Sequence, residues 1–173
     1  MAAHAATPPA SAQDTGAYVG GALGAAKFTK WCDTEGAPIQ LVSCDDSTIA
    51  WKAIAGYRFN AYLGAEASFI DWGEISANTA TTRVSAKQRS FGLAAVASLP
   101  LATRISLHAK VGLLQTEQET ESATSRVDRS DTETHYGIGA RYDLGRRWAA
   151  RGDWETANKL KARMLSLALE YQL

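Results

Sequence analysis

The residue pair with the most recognisable chemistry is Ser106 and His108, in the run RISLHAKVG at 104–112. A histidine touching a serine hydroxyl can accept its proton and make it a nucleophile, provided a third group orients the imidazole. Three further sets stand out. Cys32 and Cys44 are the two cysteines of the chain. They are open to three readings: a disulfide, two unpaired thiols or a metal pair, though a metal would want more ligands than two sulfurs with no histidine nearby. The run EQETE at 117–121, followed by RVDR at 126–129, gathers carboxylates that could hold a divalent cation. Its Ser/Thr-rich surroundings favour a solvated loop instead. Lys159 and Lys161 could meet lipid phosphates, but two lysines are a weak signal.

What these residues can do depends on the elements that carry them, and the elements are legible. In MLSLALEYQL at 164–173, Leu165, Leu167, Leu169, Tyr171 and Leu173 alternate with Met164, Ser166, Ala168, Glu170 and Gln172. Strict alternation is the signature of a strand; a helix would scatter those leucines around its circumference. The same period of two recurs at 17–28, 49–59, 62–72, 87–98, 104–116, 132–144 and 148–157. Eight strands are expected. Ser106 and His108 share the polar face of their strand, with Ile105 and Leu107 on the apolar one.

Composition narrows the class. The chain has 173 residues, 18 Lys+Arg against 18 Asp+Glu, and 46% hydrophobic residues. A balanced charge gives no electrostatic case for nucleic acid, and so apolar a chain is not disordered throughout. No stretch approaches the roughly 18 apolar residues of a spanning helix. Alternating strands escape that test, because only half of their residues face lipid. Residues 1–15 are Ala/Pro/Ser-rich and are expected to form a flexible tail, with the barrel at 16–173. The tail has neither the basic start nor the apolar core of a signal peptide; in an exported protein the signal is expected to have been removed already.

The connections alternate as well. Those at 60–61, 99–103 and 145–147 are short, and those at 29–48, 73–86 and 117–131 are long and polar; 158–161 breaks the pattern by being short. Short turns on one side and long loops on the other describe an up-and-down barrel in an outer membrane. Aromatic residues supply a second test. Tyr18, Tyr57, Phe59, Tyr62, Tyr142, Trp148 and Tyr171 fall near the short-turn rim. Phe28, Trp31, Trp51, Phe69, Trp72, Phe91, Tyr136 and Trp154 fall near the long-loop rim. Two aromatic girdles around an aliphatic band match the two membrane–water interfaces.

With these patterns in place, AYVGGALG at 17–24, GYRFNAYLGAE at 56–66 with Asp71 and Trp72 after it, and the closing MLSLALEY at 164–171 carry a resemblance. The chain resembles the eight-stranded transmembrane domain of outer-membrane protein A and its relatives, the small opacity and surface-antigen barrels. The resemblance implies an all-β, eight-stranded antiparallel up-and-down transmembrane barrel in the bacterial outer membrane. The chain departs from the family pattern in ending on Leu173 rather than Phe. Val96 stands where the family has an interior lysine, and Arg141 where it has an interior glutamate. The interior charges are therefore rewired.

The inward face is expected to carry Glu66, Lys110, Arg141, Arg151, Asp153 and Glu170, three acids and three bases, forming an ion-pair network that fills the lumen. Cys32 and Cys44 share the first long loop, and assembly in the oxidising periplasm favours a disulfide between them, contributing about 3 kcal/mol in the chain-entropy treatment. The preferred function is a structural and surface-interaction barrel, with no catalytic, metal or cofactor site. Expected partners are outer-membrane lipid and lipopolysaccharide, the barrel-insertion machinery, and a host or surface ligand at the loops, with the protein acting as a monomer. The alternative is a narrow ion or small-solute channel. A lipid-modifying enzyme ranks third. A lipid A deacylase barrel uses a Ser/His pair, but that chemistry needs the pair on the lipid-facing wall, and parity turns Ser106 and His108 inward.

Overall fold

Alternation commits each segment to an extended backbone, and in a computed structural model the strands pair in sequence until the sheet closes on itself. The structure describes residues 15–28, 41–44, 47–79, 83–122, 125–158 and 161–173. The strands are β1 (Gly16–Phe28), β2 (Leu41–Cys44), β3 (Ser47–Arg58), β4 (Leu63–Thr79), β5 (Arg83–Ala102), β6 (Ile105–Ser122), β7 (Ser125–Asp143), β8 (Trp148–Ala157) and β9 (Ala162–Gln172). All neighbours are antiparallel, and β1 pairs with both β3 and β9. With β4 on β5, a closed eight-stranded barrel results, leaving no exposed barrel edge. The ninth strand, β2, lies outside this ring and pairs with the far end of β4, from Leu41 opposite Thr79 to Cys44 opposite Ala77.

The long connections differ from expectation. Residues 73–79 and 83–86, and 117–122 and 125–131, continue the ladders. β4 and β5 pair as far as Asn78 opposite Arg83, and β6 and β7 as far as Ser122 opposite Ser125. Residues there are mostly polar at both parities, so the alternation that betrays a strand disappears while the backbone still pairs. On β4 the transition is marked by a bulge between Asp71 and Glu74. Gly73 sits there at φ 80°, a conformation that a side chain would oppose, and its N–H donates to Asp71 Oδ1 at 2.9 Å. At the opposite end the turns are tight. Asn60 Oδ1 accepts from the backbone of Tyr62 and Leu63 at 2.8 and 2.9 Å, an Asx turn that sets the β3–β4 register.

Parity then decides what faces lipid. Leu23, Ala53, Leu63, Leu93, Leu107, Ile138, Leu167 and Leu169 all point outward and are exposed. The girdles also form: Tyr57, Phe59, Tyr62, Tyr142 and Trp148 are exposed near the short turns, and Trp51, Phe91, Tyr136 and Trp154 near the other rim. Trp51, Phe69 and Phe91 stack around the wall at centroid separations of 5.3 and 4.9 Å. Three aromatics assigned to the girdles are instead inside: Tyr18, Phe28 and Trp72 are buried. They occupy the same parity as the inward residues of β1 and β4, and parity outranks height along the strand. Trp31 lies outside the described residues.

Candidate functional site

The inward face of every barrel strand converges on one narrow lumen, and its side chains sort by height. Nearest the short turns, Glu170 of β9 collects three guanidinium groups. Arg58 Nη2 donates to it at 2.6 Å, Arg141 Nε at 3.1 Å and Arg151 Nη1 at 2.9 Å. Arg58 also donates to Gln172 Oε1 at 2.7 Å and lies 4.0 Å from the centre of the Tyr18 ring. Arg141 reaches Asp143 at 2.7 Å. These groups line a cavity of about 660 Å³ that also includes Ser106 and His108.

At mid-height Arg151 of β8 spans the lumen to Glu66 of β4, donating through Nη1 at 2.5 Å. Glu66 also accepts from the Tyr18 hydroxyl at 2.9 Å and from Lys110 at 3.2 Å. Arg151 Nε donates to Asp153 at 3.0 Å. Asp153 takes Lys52 at 3.3 Å and lies 2.6 Å from His108 Nε2. Glu155 accepts from Lys52 at 2.5 Å, pairs with Lys110, and lies 3.1 Å from His135 Nε2. Lys52, Arg58, Lys110, Arg141 and Arg151 thus face Glu66, Asp143, Asp153, Glu155 and Glu170, five cations against five carboxylates. Removing one of the buried members, such as Glu66 or Arg151, would leave its partner charged and poorly solvated.

Glycine makes this crowding possible. A Cβ at Gly139 would fall 2.6 Å from both Asp153 Oδ1 and His108 Nε2, and one at Gly137 2.9 Å from the Glu155 side chain. The missing side chains of β7 are the space in which the charges of β6 and β8 meet. Likewise Leu114 lies over Gly92, where a Cβ would approach it to 2.6 Å.

Toward the long hairpins the lumen turns apolar. Ala26, Phe28, Ala50, Ile70, Trp72, Leu114, Ala157, Ala162 and Met164 form one buried cluster. The rings of Phe28 and Trp72 meet edge to face at 6.1 Å. Trp72 Nε1 donates to Ser90 Oγ at 2.8 Å, Ser90 Oγ lies 2.7 Å from Thr116 Oγ1, and Thr116 donates to Glu133 at 3.2 Å.

All six charged residues singled out in the sequence lie in this lumen, and the structure brings them together. Glu66, Lys110, Arg151, Asp153 and Glu170 are buried, and Arg141 is half-buried at the short-turn mouth. Lys52, Arg58, Tyr18, His108, His135 and Glu155 belong to the same network and were missing from that set. Alternation was the signal that could have found them, since each shares the parity of an inward neighbour. Ser106 and His108 line the interior, on the far side of the wall from lipid, and His108 is engaged with Asp153. Of the two cysteines, Cys32 lies outside the described residues and Cys44 ends β2. Glu117 starts the paired extension of β6, with Glu119 and Glu121 opposite Asp128 and Arg126 in the ladder. Lys159 lies outside the described residues, and Lys161 sits at the β8–β9 tip at φ 49°. Among the described residues, no three His, Cys, Asp or Glu side chains gather as a metal site.

A closed eight-stranded barrel with a lipid-type exterior and a charge-filled interior defines a class, the small outer-membrane β-barrels. The chain belongs to the outer membrane protein β-barrel domain family, whose description matches residues 1–172. A search of curated proteins found no match. Among solved structures, OprG of Pseudomonas aeruginosa is similar at 10% identity and a TM-score of 0.65, covering 92% of this chain and 98% of that one. Neisserial surface protein A is similar at 15% identity and a TM-score of 0.64, covering 91% and 97%. Ail, the attachment invasion locus protein of Yersinia pestis, is similar at 14% and 0.56, covering 92% and 97%. At these identities the likeness is one of fold.

Proposed function

We propose that this protein is a closed outer-membrane barrel with a structural and surface-interaction role, its lumen plugged by its own side chains. The observation that carries the reading is a lumen filled at two levels, by the Glu66–Arg151 bridge at 2.5 Å and by the fully buried cluster around Trp72 and Leu114. An eight-stranded barrel has an interior only wide enough for side chains to fill, and here they fill it above the cavity at the short-turn mouth. The short turns face the periplasm and the paired extensions of β4–β5 and β6–β7 project outward, the usual sense of such barrels. Those hairpins are the surface that meets lipopolysaccharide or a host ligand. The inward placement of Ser106 and His108 supports a non-enzymatic reading, since neither faces a lipid acyl group.

The competing reading is a narrow channel, favoured by the cavity of about 660 Å³ at the short-turn mouth. The test is reconstitution. The purified protein should refold in detergent, migrate differently unboiled than boiled, and show no steady conductance in planar bilayers. Large, stable conductance from the unmodified protein would overturn the plug and promote the channel.

A further inference from the structure

The lumen holds two kinds of filling, and they do not obstruct ions in the same way. The ion-pair layer is polar throughout, and the cavity beneath it reaches in among its members: Arg58, Arg141, Arg151 and Glu170 line that cavity. Polar groups that already bind one another can also bind water, so a charged layer next to an open vestibule is not in itself a tight seal. The layer above is different in chemistry. Phe28 from β1, Ile70 and Trp72 from β4, Leu114 from β6 and Met164 from β9 belong to one buried cluster, together with the small Ala50 of β3 and Ala157 of β8. Every one is at most 3% exposed. The cluster draws on six of the eight barrel strands. On the two others, Leu114 lies over Gly92 of β5, and the polar groups that face in beside the cluster are tied to the wall, Ser90 of β5 by Thr116 and Glu133 of β7 by the same hydroxyl. The one indole N–H in the layer is satisfied by Ser90, so the layer offers an entering water no free donor from Trp72.

We propose that the permeability barrier of this barrel is that apolar septum, Phe28, Ile70, Trp72, Leu114 and Met164, and that the ion-pair network below it stabilises the barrel without being what stops ions. A narrow hydrophobic constriction excludes ions by staying dry. The vestibule at the short-turn end is then a dead end that communicates with one side of the membrane only. This inference rests on the closed-lumen reading and assigns the closure to particular side chains.

The experiment compares single-channel conductance of three folded proteins in planar bilayers, folding being checked by the unboiled gel shift. The unmodified chain should be silent. The double variant Leu114→Ser/Met164→Ser, which wets the septum and leaves the backbone ladder unchanged, should conduct in resolvable steps where the unmodified chain shows none. A second opening variant, Trp72→Ala, covers the case in which the serine pair does not fold. The charge variant Glu66→Gln/Arg151→Gln should stay silent although it unfolds more readily. Conductance in the charge variant would overturn the septum, as would septum variants that remain closed. Conductance in the unmodified chain would instead overturn the closed-lumen reading itself, so the two failures are distinguishable.

Discussion

Glu66 shows how a single residue is specified by its surroundings here. It accepts from Arg151, Lys110 and Tyr18, three side chains contributed by three other strands. With so many donors, the carboxylate is held from all sides and needs no water. Truncation should therefore be expensive: Glu66→Ala should lower unfolding stability by about 3–5 kcal/mol, the range for breaking a buried pair. Arg151→Ala should cost a comparable amount. The double variant should recover part of the loss, because it leaves no uncompensated charge in that pair, with a coupling above about 1 kcal/mol. Guanidinium unfolding in lipid vesicles reads all four corners of the cycle. Coupling near zero would mean that the two charges hydrate independently.

At the scale of the element, one rule governs every barrel strand: alternate residues face lipid, the others the lumen. Leu167 is the most exposed of the leucines of β9, at 77%, and sits mid-strand opposite Leu23 of β1. Leu167→Arg should cost roughly 2–4 kcal/mol if the position lies near the membrane midplane. A spin label at Leu167 should be quenched by a lipid-soluble relaxant, whereas no quenching there would invalidate the register. The connection between β1 and β3 carries a further expectation. Cys44 ends β2, which is hydrogen-bonded to β4 outside the barrel ring, and Cys32 precedes it in the same connection. In protein exported to its native envelope, thiol counting under denaturing, non-reducing conditions should find no reactive groups. Two reactive groups would show that the cysteines are not joined.

The molecule as a whole is defined by closure. Its first and last strands pair along their length, from Tyr18 opposite Gln172 to Phe28 opposite Ala162. The barrel therefore cannot be complete until β9 is in place beside β1, and such non-local pairing makes for slow folding. Closure also leaves β9 bonded on both sides, Leu169 lying opposite Gly21 of β1 and Ala150 of β8. Proline cannot donate to a ladder and is not tolerated in a strand flanked on both sides. Leu169→Pro should thus abolish the compact, faster-migrating band of the unboiled protein. A variant that still gave that band would contradict the closing pair.

By itself the sequence determined the strand faces, and with them the membrane. Lipid imposes a local demand, one apolar residue in every two, which can be read from ten consecutive residues such as 164–173. The inward parity of Glu66, Lys110, Arg141, Arg151, Asp153 and Glu170 followed from the same count. Pairing did not follow, because Glu66 and Arg151 are 85 residues apart and no local pattern says which cation a carboxylate meets across a lumen. Nor did the strand ends at 74–79, 83–86, 118–122 and 125–129, where mostly polar residues at both parities erase the period of two although the backbone ladder continues. Tyr18, Phe28 and Trp72 belong to both levels. Their type and height suggested an interface, and their parity, realised only when the barrel closes, put them inside. Closure brings Phe28 and Trp72 from separate strands into contact, which is why the apolar layer of the lumen exists only in the tertiary structure.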